Sequence, residues 1–143
     1  MGTVVVGVDG SEGSRTALAW ALDEARIRGA TLRVVHAWAL PYGPAVAGYV
    51  PLPEPPLHEA AEEGARRVLD ETLAALDGGG AGVERLLVEG SAASVLVEQS
   101  RDADLLVVGS RGRGGFASLL LGSVGQQVAQ HARCPVAIVP GRR

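Results

Sequence analysis

Residues able to do chemistry crowd into one stretch, VVGSRGRGGFASLLLGSV, from Val107 to Val124. Gly109, Gly112, Gly114 and Gly115 fall within seven residues. Glycine permits positive φ and lets backbone N–H groups approach a ligand closely. Successive bare N–H groups form a nest for an anion. Gly122 and Ser123 then open a helical pattern, and a helix start favours phosphate through its N–H groups and dipole. Ser123 is suited to cap that helix and to donate to a phosphate oxygen. Arg111 and Arg113 add charge, and a guanidinium grips phosphate through paired hydrogen bonds. For Arg113 an exposed, solubilising role reads equally well. The alternative for the whole stretch is a flexible connector, but such linkers are Gly/Ser chains that rarely end on a helix start.

A second candidate is Asp9 in GVDGS, Gly7 to Ser11, just past an apolar run. Its carboxylate is placed either to accept from ribose hydroxyls or to cap the following helix, and the residues alone leave both open. The chain has no lysine; all 13 Lys+Arg are arginine. That excludes a Walker-type phosphate loop and a Schiff-base lysine. GRGGFA at Gly112–Ala117 fits the short dinucleotide pattern G-x-G-x-x-A. It follows the fourth strand rather than the first, and no acid comes after it to hold an NAD ribose, so a nicotinamide site is rejected. His36, His58 and His131 are scattered, without metal-ligand spacing. His36, mid-strand in VVHAW, reads as a core-facing or hydrogen-bonded side chain, and His131 lies near a helix C-terminus that favours a cation. Cys134, the only cysteine, reads as an inert small hydrophobe at the opening of a strand.

Such residues need a frame, and the apolar periodicity supplies one. TVVVGV within Met1–Asp9 is a continuous β-branched run, the mark of a strand buried on both faces. Leu18, Ala21, Leu22 and Ala25 give an amphipathic helix to about Arg28, stopped by Gly29. Thr31–Trp38 predicts a second strand. Ala39–Pro56 holds six of the eight prolines and reads as a long loop. A helix is expected over Leu57–Leu76, with Ala65, Val68, Leu69, Thr72 and Leu73 inward and i,i+4 pairs Glu62–Arg66 and Glu63–Arg67 outward. Val83–Val88 is strand three, Ser91 caps a short helix, Asp104–Gly109 is strand four, and Val136–Val139 is strand five. Regular strand–helix alternation predicts a five-stranded, doubly wound parallel α/β sheet. Ligands bind such sheets beyond the carboxyl ends of the strands, where strand order reverses. Both flagged stretches stand at strand-to-helix junctions.

Composition narrows the function classes. A chain of 143 residues, 47% hydrophobic and 20% charged, is one globular domain, 1–143, with no second-domain boundary. A net charge of -3 does not suggest nucleic acid or a membrane surface as partner. The N-terminus lacks a basic segment and meets Asp9 early, so no secretory signal is expected, and with a lone cysteine the default setting is cytoplasmic. All 16 Asp+Glu lie at or before Asp104, and only arginines follow, which suits an anionic ligand in the last third.

The spacing Gly109, two residues, Gly112, nine residues, Gly122-Ser123 resembles the ATP-binding signature of the universal stress protein family, G-2x-G-9x-G-[S/T]. The opening VVVGVDGS and the closing CPVAIV, Cys134–Val139, are similar to family blocks as well, so the resemblance covers essentially the whole chain. It implies strand order 3-2-1-4-5, which brings the ends of strands one and four together. The family divides into members that bind ATP and members that lack the signature; this chain carries the glycines and the serine. The resemblance implies that Asp9 contacts the nucleoside, at the ribose. It implies that Gly109, Gly112, Gly122 and Ser123 form the phosphate loop, with Val108 and Val124 beside it. Ala37 matches a small position whose backbone faces adenine, and Arg111 a position that is often basic.

Nothing in the glycine stretch supplies a general base or a positioned nucleophile. The expectation is a nucleotide-dependent stress-response regulator whose cofactor is ATP, with Mg2+ carried on its phosphates. A slow ATPase or nucleotide-transferring enzyme is the alternative, and a nucleotide-free interaction module is a third class. Multiple-turnover product release marks the second, and failure to bind adenine nucleotide marks the third. Strand five, apolar throughout and placed by the implied order at a sheet edge, predicts a homodimer through Val136–Val139.

Overall fold

The apolar runs pair as the alternation requires. In the computed structural model, which describes residues 2–40, 55–76, 78–80, 82–110 and 122–141, five strands form one parallel sheet of order β3-β2-β1-β4-β5. They are β1 (Thr3–Gly7), β2 (Thr31–Trp38), β3 (Glu84–Glu89), β4 (Leu105–Gly109) and β5 (Val136–Val139). The helices are α1 (Glu12–Arg28), α2 (Pro55–Ala74), α3 (Ala92–Gln99) and α4 (Ser123–His131). A single 3-10 turn, Ser100–Asp102, links α3 to β4.

Side chains alternate across the central strands. Val4 and Val6 of β1, with Val34, Leu105 and Val107, join Ala17, Leu18 and Ala21 of α1 and Leu69 and Leu73 of α2 in one core. Val5, Val35, Leu106 and Val108 face the other way, onto Val95 and Leu96 of α3 and Val128 of α4. Val4, Val5 and Val6 of β1 are fully buried, on both faces of the sheet, which explains why the run is apolar without alternation.

The boundaries shift in ways the termini explain. Helix α2 starts at Pro55, two residues before the expected Leu57, because proline is tolerated in a first turn whose N–H groups lack helical partners anyway. It ends at Ala74, and Leu76 N–H closes a tight turn onto Leu73 O. Its outward pairing also differs: Arg66 takes both Glu62 at 3.1 Å and Glu63 at 3.9 Å, so Glu63 pairs at i+3, one residue short of the expected Arg67. β3 slides by one residue to Glu84–Glu89. Most of the expected loop Ala39–Pro56 lies outside the described residues. Among the described residues, no helix is long and apolar enough to cross a membrane.

Candidate functional site

The reversal in strand order falls between β1 and β4, neighbours through Val4–Leu105 and Val6–Val107, whose chains leave toward opposite faces. Asp9 stands just beyond β1. Its Oδ1 accepts from Ser11 N–H at 2.9 Å, and its own N–H donates to Ser14 Oγ at 3.2 Å. Gly10 has φ 83, a conformation that favours glycine, so the chain turns sharply here into α1. Of the two roles open to Asp9, the capping one is taken by Ser11, whose hydroxyl accepts from Ser14 N–H. Ser14 is buried and its Oγ also donates to Ser11 O at 3.0 Å, so the Asp9 turn is tied to the helix by a closed set of short hydrogen bonds.

Gly109 ends β4. A Cβ on it would lie 2.9 Å from Gly13 O and 3.1 Å from Gly13 C, on the first turn of α1. The glycine is therefore required by packing: only a bare Cα lets the end of β4 press against the backbone that follows Asp9. Ser110 then anchors the loop at both ends. Its N–H donates to Val139 O at 2.9 Å, and its carbonyl accepts from Gly122 N–H at 2.6 Å. Residues on either side of the glycine-rich stretch are thus held at one point.

Gly122 is buried, with φ -71 and ψ 168, and is itself the N-cap of α4; Ser123 is the first helical residue and is exposed. The capping role expected of Ser123 is accordingly corrected. With no side chain on its N-cap residue, α4 has no side-chain oxygen there for its first N–H groups. The first helical rung is Gln126 N–H to Gly122 O at 3.0 Å, and Ser123, Val124 and Gly125 precede it. Such a helix start suits an anion, both by its donors and by its dipole.

The other predicted residues divide. Val108 is buried in the α3/α4 core and Val124 packs against the same cluster. Ala37 lies on β2 two residues past the last β1 pairing, Gly7–Val35, and so borders the crevice from the other side of β1. Arg111, Gly112, Gly114 and Gly115 lie outside the described residues. Asp9, Ala37, Gly109, Gly122 and Ser123 all stand at the carboxyl end of the sheet. Residue-type reasoning missed the scaffold beneath them: Ser11, Gly13, Ser14 and Ser110. Their small size in SEGS and GS was the available signal.

The remaining titratable groups stand apart. His58 joins Glu89 at 3.1 Å and meets Trp38 edge-on, with ring centroids 5.1 Å apart. Cys134 lies at the amino end of the sheet; burial first, and then the nearby Asp104 charge, push its thiol above the ordinary range, which suits the inert role. A cleft of about 480 Å³ between α3 and α4, lined by residues such as Val97, Glu98, Gln127 and Arg133, includes none of the predicted site residues. Among the described residues, no three His, Cys, Asp or Glu side chains come together to hold a metal.

The model of the universal stress protein family matches residues 1–140. A universal stress protein of Mycobacterium tuberculosis is 42% identical over 137 residues, 94% of this chain and 44% of its own length. One from Mycolicibacterium smegmatis is 40% identical over 141 residues, 97% of this chain and 46% of its own. The chain thus spans about half the length of the curated relatives it matches. Among solved structures, a universal stress protein in complex with cAMP is 32% identical with a TM-score of 0.60, covering 99% of this chain and 98% of that one. A universal stress protein from Archaeoglobus fulgidus in complex with dAMP is 26% identical with a TM-score of 0.66, covering 99% and 98%.

Proposed function

This chain belongs to the universal stress protein family, and from that premise we propose that it is an ATP-binding, nucleotide-dependent regulator of the stress response, acting in the cytoplasm. The observation that carries the reading is the crevice where β1 and β4 part. There Asp9 follows β1, a helix start without a side-chain cap is tied to the residue after β4 by Gly122 N–H and Ser110 O, and Gly109 brings the end of β4 against Gly13. Asp9 would take the ribose hydroxyls through its carboxylate. The backbone from Gly109 through Gly115 and the start of α4 at Gly122-Ser123 would take the phosphates, with Arg111 adding charge. Ala37 would meet the base through its backbone. Adenine nucleotides bound to relatives, cAMP in one and dAMP in another, support the ligand class. Magnesium would be carried on the phosphates.

The same reading makes the protein a binder that signals rather than an efficient catalyst. Asp9 holds the turn into α1 through Ser11 N–H, and its proposed task is the sugar rather than proton transfer. Bound ATP would change the surface around the glycine-rich stretch, and partners would read that surface. A homodimer through β5 would double it. Mass spectrometry of nucleotide released from freshly purified protein tests the assignment: adenine nucleotide is expected, and a different class of small molecule in its place would overturn it.

A further inference from the structure

His36 stands on β2 one residue beyond the last β1 pairing and is buried, 8% exposed. Strand alternation places it on the face that carries Leu32 and Val34, where an apolar side chain would satisfy the core. Its Nδ1 lies 2.8 Å from the Val8 carbonyl oxygen. A carbonyl only accepts, so this nitrogen bears the proton. The neighbouring N–H of Val8 donates to Val35 O at 2.9 Å. Val8 is therefore held to β2 at both of its backbone polar groups, once by the strand and once by the imidazole. The very next N–H, that of Asp9, is held by Ser14. The Val8–Asp9 peptide plane, which sets the direction in which the Asp9 side chain leaves the backbone, is thus pinned between His36 and Ser14.

We propose that His36 is a positioning residue of the nucleotide site: its Nδ1–H fixes the peptide that aims Asp9, and through Asp9 it sets the preference for a sugar bearing hydroxyls. The inference rests on the reading of Asp9 as the ribose acceptor. It assigns to a buried histidine a task that core packing does not require, since leucine fills the same space without the donor.

The test is calorimetric titration of ATP and of dideoxy-ATP, which lacks both ribose hydroxyls, into wild type, Asp9→Ala, His36→Asn and His36→Leu. Asparagine carries an amide donor near the place of Nδ1, and leucine matches its size without one. Wild type and His36→Asn are expected to prefer ATP by on the order of tenfold, the scale of one hydrogen bond to a charged group. Asp9→Ala and His36→Leu are expected to lose that preference. His36→Met makes the same comparison if the leucine variant does not fold. A folded His36→Leu or His36→Met that keeps the full preference overturns the proposal while leaving Asp9 in its role, and so does a His36→Asn variant that loses it. A wild type that binds both nucleotides equally overturns the ribose reading itself, and the role of His36 with it.

Discussion

At Gly109 two demands meet on one residue. The spacing of glycines marks it for a phosphate loop, whereas the structure gives it a steric task against Gly13 O that holds whether or not a ligand is present. Gly109→Ala should therefore destabilise the protein itself, by about 1–3 kcal/mol for an overpacked contact against backbone that has little room to yield. Urea unfolding without nucleotide checks this, and an unchanged midpoint would return Gly109 to a purely ligand-facing role. Asp9 shows the limit of reading residue types one at a time. Its position past a buried strand was legible; that Ser11 rather than Asp9 caps α1 depends on φ and ψ at the turn, which the residue types do not announce. Ser123 misleads for a similar reason. A serine after a glycine reads as a cap, yet Gly122 already holds the extended N-cap conformation, φ -71 and ψ 168, and Ser123 is the first helical residue.

At the scale of elements, the central strands β1 and β4 were legible from continuous apolar runs because burial on both faces leaves no room for polar alternation. β2 and β5 fall where the runs do, at Thr31–Trp38 and Val136–Val139. Ends set by capping were less legible: Pro55 starts α2 because a helix tolerates proline in its first turn, and Ser100–Asp102 forms a turn too short for any periodicity. Two serine caps, Ser11 on α1 and Ser91 on α3, each receive a first-turn N–H. Ser11→Ala should cost about 1 kcal/mol of stability, as loss of an N-cap generally does. It should also weaken nucleotide binding, because the same turn carries Asp9. Ser91→Ala should cost a similar stability with no effect on binding, since α3 starts beside β3, away from the crevice. Denaturation and ATP titration of the two variants side by side separate these outcomes.

For the whole molecule, the two sheet edges differ in kind. β3 closes one edge with Glu84, Arg85 and Glu89 exposed, the charged edge that natural sheets use against association. β5 closes the other with no charge between Val136 and Val139, and Ile138 is 37% exposed. A second copy paired along β5 about a two-fold axis would satisfy both the unpaired backbone and the apolar face. Light scattering at micromolar concentration should give a dimeric mass for the wild type and a monomeric mass for Ile138→Asp; a monomeric wild type contradicts the pairing. Nucleotide binding asks something different of the molecule, that two walls from separate parts of the chain act as one crevice. Calorimetric titration of ATP into wild type and into Gly122→Val tests that most directly. Binding to the wild type and none to a folded Gly122→Val protein is expected, because the added methyl groups would occupy the start of α4 where phosphate is proposed to sit. Unchanged affinity in the variant, or a wild type that takes up no ATP, would contradict it.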